Sequence, residues 1–144
     1  MSEILCKSDC GSRQDAVADR KYTKKFTLSD LNKIVLQKII KYCDDIETVM
    51  NEFNYSFELF ISKITFQYTC SHCIVQIGEL TTRLTEEFKN QHAEIQWKLI
   101  KAMRNIHAHD YESVKLDKVW NTLINDIPEL KEKLTKILDE MNEK

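Results

Sequence analysis

Residues 95–111 read Ile-Gln-Trp-Lys-Leu-Ile-Lys-Ala-Met-Arg-Asn-Ile-His-Ala-His-Asp-Tyr, with one arginine closely followed by two histidines. A neutral imidazole with a pKa of about 6.5 is the side chain best matched to moving protons at neutral pH, and such general catalysis contributes about 10²- to 10⁴-fold. The planar donor fork of an arginine matches phosphate oxygens bidentately and stabilises charge that builds on phosphorus. Arg104 with His107 or His109 therefore suits attack of an RNA 2'-hydroxyl on its own adjacent phosphate. RNA supplies the nucleophile, so this chemistry needs neither a serine nor a metal, and no cofactor is expected. The local charge is permissive: Lys89, Lys98, Lys101 and Arg104 stand against Glu94 alone in residues 89–109, although the chain as a whole carries −2. Lys101 is thus a candidate for holding RNA. Spacing alone does not choose between the two histidines.

A helix through this segment has two apolar sides. Ile95, Leu99, Ala102 or Met103, and Ile106 form the expected core stripe; Trp97, Ile100, Ala108 and Tyr111 form a second, roughly opposite, with Arg104 in its middle. Two apolar sides need two partners: the chain's own bundle and a second copy related by a two-fold axis. Arg104 lies about 200° around the helix from Ile106, which points it away from the core and into that interface. His109 lies roughly 140° from Arg104, so the two cannot share one face of a straight helix. Either the helix ends before His109, or the arginine of one subunit works with the histidine of the other.

The elements that position these residues must be helices. The 144 residues contain two glycines and one proline, far too few for a turn-rich β fold or a glycine-rich phosphate loop. Residues 1–27 hold no sustained apolar period and are expected to be a loosely attached arm, with a short helix at 15–21. Residues 28–144 form the expected domain. Thr27 and Asp30 make a capping-box start, after which Leu31, Val35, Ile39, Tyr42, Ile46, Val49 and Phe53 hold one helical face. A break at 51–56 follows, and Tyr55, Phe57 and Phe60 are expected to cover the end of the bundle. A second long helix is expected from Ser62 to Phe88, buried through Ile64, Tyr68, Ile74, Ile77, Leu84 and Phe88. Gly78 inside it either admits a close neighbour or marks a bend. A fourth helix covers 116–125, and Asp126 is expected to cap a last one with Pro128 in its first turn and Leu130, Leu134, Ile137 and Met141 inward. The expected fold is all-α, an up-down bundle of four to five helices, homodimeric.

The five cysteines are odd in number and expected to be free thiols. Cys70 and Cys73 share a C-x-x-C spacing, but without a second pair they read as buried thiols rather than a zinc clip, and no metal site is expected. Cys6 and Cys10 fall in the arm. His72 and His92 are expected to be exposed or capping residues. No apolar run could span a bilayer, and no leader is legible, so a cytoplasmic protein without a membrane partner is expected.

The run Arg104-Asn105-Ile106-His107-Ala108-His109-Asp110-Tyr111 resembles the R-x4-H-x-Y signature of HepT-like toxins in the HEPN superfamily. Ile77-Gly78-Glu79 resembles the I-G-E segment of their preceding helix, Ile95-Gln96-Trp97 their I-P-W, and Val119-Trp120 with Asp126-Ile127-Pro128-Glu129-Leu130 their V-W and D-L-P-E-L tail. Gln96 stands where the proline would be, and the extension before residue 28 is longer than in these toxins. The resemblance implies a HEPN-type bundle that dimerises with both motifs lining one cleft and cleaves RNA as a metal-independent endoribonuclease of a type II toxin-antitoxin system. It implies Arg104 and His109 as the catalytic pair, with Asn105 positioning them or the RNA. It also implies that a nucleotidyltransferase antitoxin of the MNT type is the partner and adenylylates Tyr111. Only His109 has a tyrosine two positions later. The rival expectation is a helical bundle that binds substrate for a small nucleotidyltransferase without catalysing anything itself.

Overall fold

The computed structural model describes residues 25–144, apart from the Tyr111 side chain. The expected helix at 15–21, Cys6 and Cys10 lie outside the described residues. Helix α1 runs Leu28–Glu52 and begins as the sequence requires: the Thr27 hydroxyl accepts from the Asp30 N–H, and Asp30 returns a bond to the Thr27 N–H. It ends in a turn where Asn54 and Tyr55 both have positive φ and the Tyr55 N–H donates to the Met50 carbonyl. Helix α2 (Phe57–Ser62) follows, capped by Ser56, and Phe60 is completely buried against Phe66 and Trp120. Phe57 and Phe53 complete this aromatic end of the bundle, while Tyr55 stays exposed.

The expected helix from 62 to 88 is two helices. Helix α3 spans Ile64–Thr81 and α4 spans Glu86–Gln91. The break falls where three hydroxyl residues follow closely: Thr81 and Thr82 bond back to the carbonyls of Gly78 and Glu79, and Thr85 caps α4. Asn32 at the start of α1 holds this turn, donating to the Thr85 hydroxyl and accepting from the Thr85 N–H. His92 closes α4 as its C-cap, against the Phe88 ring, whereas His72 is exposed beside Tyr42.

Helix α5 spans Trp97–His109, and a 3₁₀ turn covers Tyr111–Ser113. Helix α6 (Leu116–Asn121) passes through a wide π turn (Thr122–Asp126) into α7 (Ile127–Glu143) without leaving helical backbone. Asp126 therefore does not recap a new helix; its side chain makes no cap bond. Pro128 explains the wide turn, since its ring would press on the carbonyl four residues earlier, and the Ile127 N–H reaches back to Thr122 instead.

Stacking of Phe53 on Phe66 at one end and the Asn32–Thr85 bonds at the other make α1 and α3 antiparallel. Ser71 against His107 and Gly78 against Arg104 make α3 and α5 antiparallel as well. The α6–α7 helix returns along α1, from Trp120 at the aromatic end to Lys131, whose ammonium sits between Asp44 and Glu47. The architecture is an all-α, up-down bundle whose core runs from Val35, Leu36 and Ile39 through Phe66, Ile77 and Leu134.

Candidate active site

Three attachments place α5 on the bundle. At its start, the Trp97 indole N–H is shared by the carbonyls of Lys89 (3.2 Å) and His92 (3.1 Å). In its middle, Gly78 lets the stem of Arg104 lie directly on α3: any Cβ at position 78 would overlap the Arg104 Cβ and come within 2.6 Å of its Cγ. Of the two sequence readings of Gly78, close approach is the one realised. At its end, the Ser71 hydroxyl is 2.9 Å from Nδ1 of His107.

These attachments rotate the expected faces of α5: Ile95, just before it, is buried and Met103 packs on the core as expected, but the rest of the expected core stripe is not inward. Ile100, Met103 and His107 turn inward with Trp97, while Leu99 is 58 % and Ile106 46 % exposed, and Ala102 is exposed beside them. Arg104 correspondingly does not point away from its own bundle. Its Nε donates to Glu79 Oε1 at 2.7 Å, Nη2 pairs with the same oxygen, and Nη1 donates to Asn105 Oδ1 at 2.6 Å. The physical reason is the missing side chain at 78 together with the carboxylate at 79, which make a seat on α3 for a long cation. One N–H on each terminal nitrogen remains uncommitted among the described residues, and that edge is the one able to take a phosphate bidentately. Glu79 thus fixes the fork side-on and leaves its end presented.

His107 and His109 separate clearly. His107 is 8 % exposed, and burial pushes its pKa below 6.5, so it is neutral at pH 7. His109 is the last residue of α5, exposed, with no side-chain bond among the described residues. The helix does not end before His109, so the first of the two ways to unite Arg104 and His109 is not the one observed. Lys101 and Asn105 are exposed on the face that leads, four residues at a time, to His109. The Tyr111 backbone opens the 3₁₀ turn just beyond; its side chain lies outside the described residues.

Two surface features converge on this end of α5. Leu99, Ala102, Ile106 and His109 recur three, four and three residues apart, so the outward apolar stripe runs into His109. On α3, Ile64, Tyr68, Ser71, Val75 and Gly78 also form one stripe, which α5 meets at Gly78 and Ser71. Past that point Tyr68 and Ile64, expected to be buried, are 55 % and 56 % exposed. Sequence reasoning missed Ser71 altogether; the available signal was a pair of small residues, 71 and 78, one heptad apart.

Cys70 and Cys73 face the interior with Cys43, all three as free thiols. Burial raises Cys43 and Cys70 to about 12 and Cys73 to about 11, which keeps them protonated and poor nucleophiles. Among the described residues no three His, Cys, Asp or Glu side chains converge as metal ligands. No described helix is long and apolar enough to cross a membrane.

The sequence was compared with known proteins. The family model described as "Ribonuclease HepT-like" matches residues 39–137, a span that contains Gly78, Glu79, Arg104, Asn105 and His109. The chain is 30 % identical over 112 residues to "Putative RNase MJ0125" of Methanocaldococcus jannaschii, covering 78 % of this chain and 95 % of that protein. It is 31 % identical over 106 residues to "Probable ribonuclease HepT" of Thermococcus cleftensis, covering 74 % of this chain and 94 % of that protein. No solved structure matches. With an all-helical fold, an arginine seated by I-G-E and an exposed histidine five residues on, all inside the matched span, the chain belongs to the HepT-like ribonuclease family.

Proposed function

We propose that the protein is the toxin of a type II toxin-antitoxin pair, a homodimeric, metal-independent endoribonuclease whose catalytic groups are Arg104 and His109. The observation that carries this reading is the contrast along α5: a presented guanidinium edge at Arg104, an exposed imidazole at His109 with no side-chain bond among the described residues, and an exposed apolar stripe that runs into His109 and suits a second copy. In the homodimer His109 of one protomer works with Arg104 of its partner, the two α5 helices meeting near their C-terminal turns. That arrangement removes the difficulty of the roughly 140° between them on one helix.

In this cleft His109 accepts the proton of a ribose 2'-hydroxyl, and the oxygen attacks the adjacent phosphorus. Arg104 takes the charge that accumulates on the non-bridging oxygens. The bond to the 5'-oxygen breaks, that oxygen takes up a proton, and the products are a 2',3'-cyclic phosphate and a 5'-hydroxyl end. Asn105 fixes the arginine fork through Nη1, and Lys101 attracts the RNA backbone. Tyr111, two residues beyond His109, is the residue a nucleotidyltransferase antitoxin adenylylates; a nucleotide there fills the groove and repels RNA through its phosphate.

The test is incubation of purified wild-type and His109→Ala protein with total cellular RNA in excess EDTA, with mapping of the cut ends. Cleavage by wild type alone, leaving cyclic phosphates, is expected. Equal cleavage by both, or loss of all cleavage in EDTA, rejects the assignment.

A further inference from the structure

We infer that Ser71 and His107 are a positioning pair for the reaction, the contact that fixes where the last turn of α5 presents His109. This rests on the reading of His109 as the reacting histidine. After His107 the helix has only two residues left, and neither His109 nor Asp110 makes a side-chain bond among the described residues. Beyond it, the Asp110 N–H donates to the Ile106 carbonyl, the Ser113 hydroxyl donates back to the Asp110 carbonyl, and the next side chain shown packed against the core is Val114. The Ser71–His107 contact thus ties the last turn of α5 to α3, two residues before His109.

Both partners are buried, Ser71 at 7 % and His107 at 8 % exposure, so neither can exchange the other for water. A hydroxyl both donates and accepts, so it pairs with Nδ1 in either neutral tautomer of the imidazole. Buried and committed in this way, His107 is withdrawn from substrate while sitting two residues from a group that must reach it. Without the link, the end of α5 keeps its anchor at Gly78 and Arg104 but gains freedom one turn later. A misplacement of about 1 Å at a reacting group costs roughly 100-fold in rate.

The pair is tested with Ser71→Ala, His107→Ala and the rescue variant His107→Asn, whose side-chain amide places a polar atom where Nδ1 was. Cleavage kinetics are read together with the imidazole proton–carbon NMR signals of His109. Ser71→Ala and His107→Ala are expected to lower kcat at least tenfold with KM within about twofold, and to shift or broaden the His109 signals. His107→Asn is expected to recover most of kcat and of the His109 signal, and all three variants retain both limbs of the pH–rate profile. Ile46→Val in α1, a general loosening of the core, should leave the His109 signals in place.

Unchanged kcat and unchanged His109 signals in Ser71→Ala overturn the inference. So does loss of one limb of the pH profile in His107→Asn, which makes His107 a proton-transfer group. If His109→Ala cleaves like wild type while Ser71→Ala still shifts the His109 signals, the positioning contact stands and the assignment of His109 to catalysis falls.

Discussion

Arg104 lies against Gly78 with nothing between them, its Cβ and Cγ occupying the space a side chain at 78 would fill. That contact seats the guanidinium on Glu79 and sets the rotation of α5, so the face offered to solvent is the one that ends in His109. A single missing methyl group thus decides which residues of α5 face the core and which face solvent.

Gly78→Ala should push α5 off α3, because the atoms it meets are the first two carbons of Arg104 rather than a flexible tip. Overpacking of this kind costs about 1–3 kcal/mol, offset by up to about 1 kcal/mol from the better helix propensity of alanine. Urea unfolding should show net destabilisation, and RNA cleavage should fall further than stability does. A stable, fully active Gly78→Ala protein would show that α5 sits elsewhere.

Glu79→Gln keeps the shape beside Arg104 but removes the charge that orients its fork. The carboxylate is half exposed, so the effect on stability should stay within about 1 kcal/mol. Cleavage should fall roughly 10- to 100-fold as the guanidinium loses its fixed direction. Arg104→Ala should abolish it. Steady-state cleavage of one defined RNA by both variants makes the comparison, and equal activity of Glu79→Gln and wild type would remove the carboxylate from the site.

Ile106→Lys places a charge in the middle of the exposed stripe of α5 while touching nothing in the core. Light scattering should report a dimer for wild type and a monomer for the variant, with unchanged helicity. The monomer should lose cleavage although Arg104 and His109 are both intact. An active monomer would rule out a site shared between protomers.

His107 gives a pH dependence with a definite sign. Burial holds its folded-state pKa below 6.5, so the unfolded chain binds the proton more readily. The stability contributed by the neutral, buried imidazole is complete above about pH 6.5 and is lost as pH falls through the folded-state value. Urea unfolding between about pH 7.5 and 5 should show wild type losing stability more steeply than His107→Asn. Parallel slopes would mean His107 does not stay neutral inside the fold.

The sequence by itself determined the helical class, the start of α1 at its Thr27–Asp30 box, the aromatic end of the bundle and the segment proposed to carry the chemistry. Each rests on local physics: composition, capping and periodicity act within a few residues. The division between α3 and α4 escaped because apolar spacing continues from Ile77 through Leu84 to Phe88 across the turn. What breaks the helix there are hydroxyls returning to backbone and a bond from Asn32, 53 positions away. The rotation of α5 escaped for the same kind of reason. Leu99 and Ile106 are more apolar than Arg104 and His107, so hydrophobicity alone turns the helix the wrong way. Only the tertiary structure supplies Gly78, Glu79 and Ser71 as the seats that make an arginine stem and a neutral histidine the better residues to bring inward. The choice between His107 and His109 follows from that rotation, because burial commits one imidazole and leaves the other free.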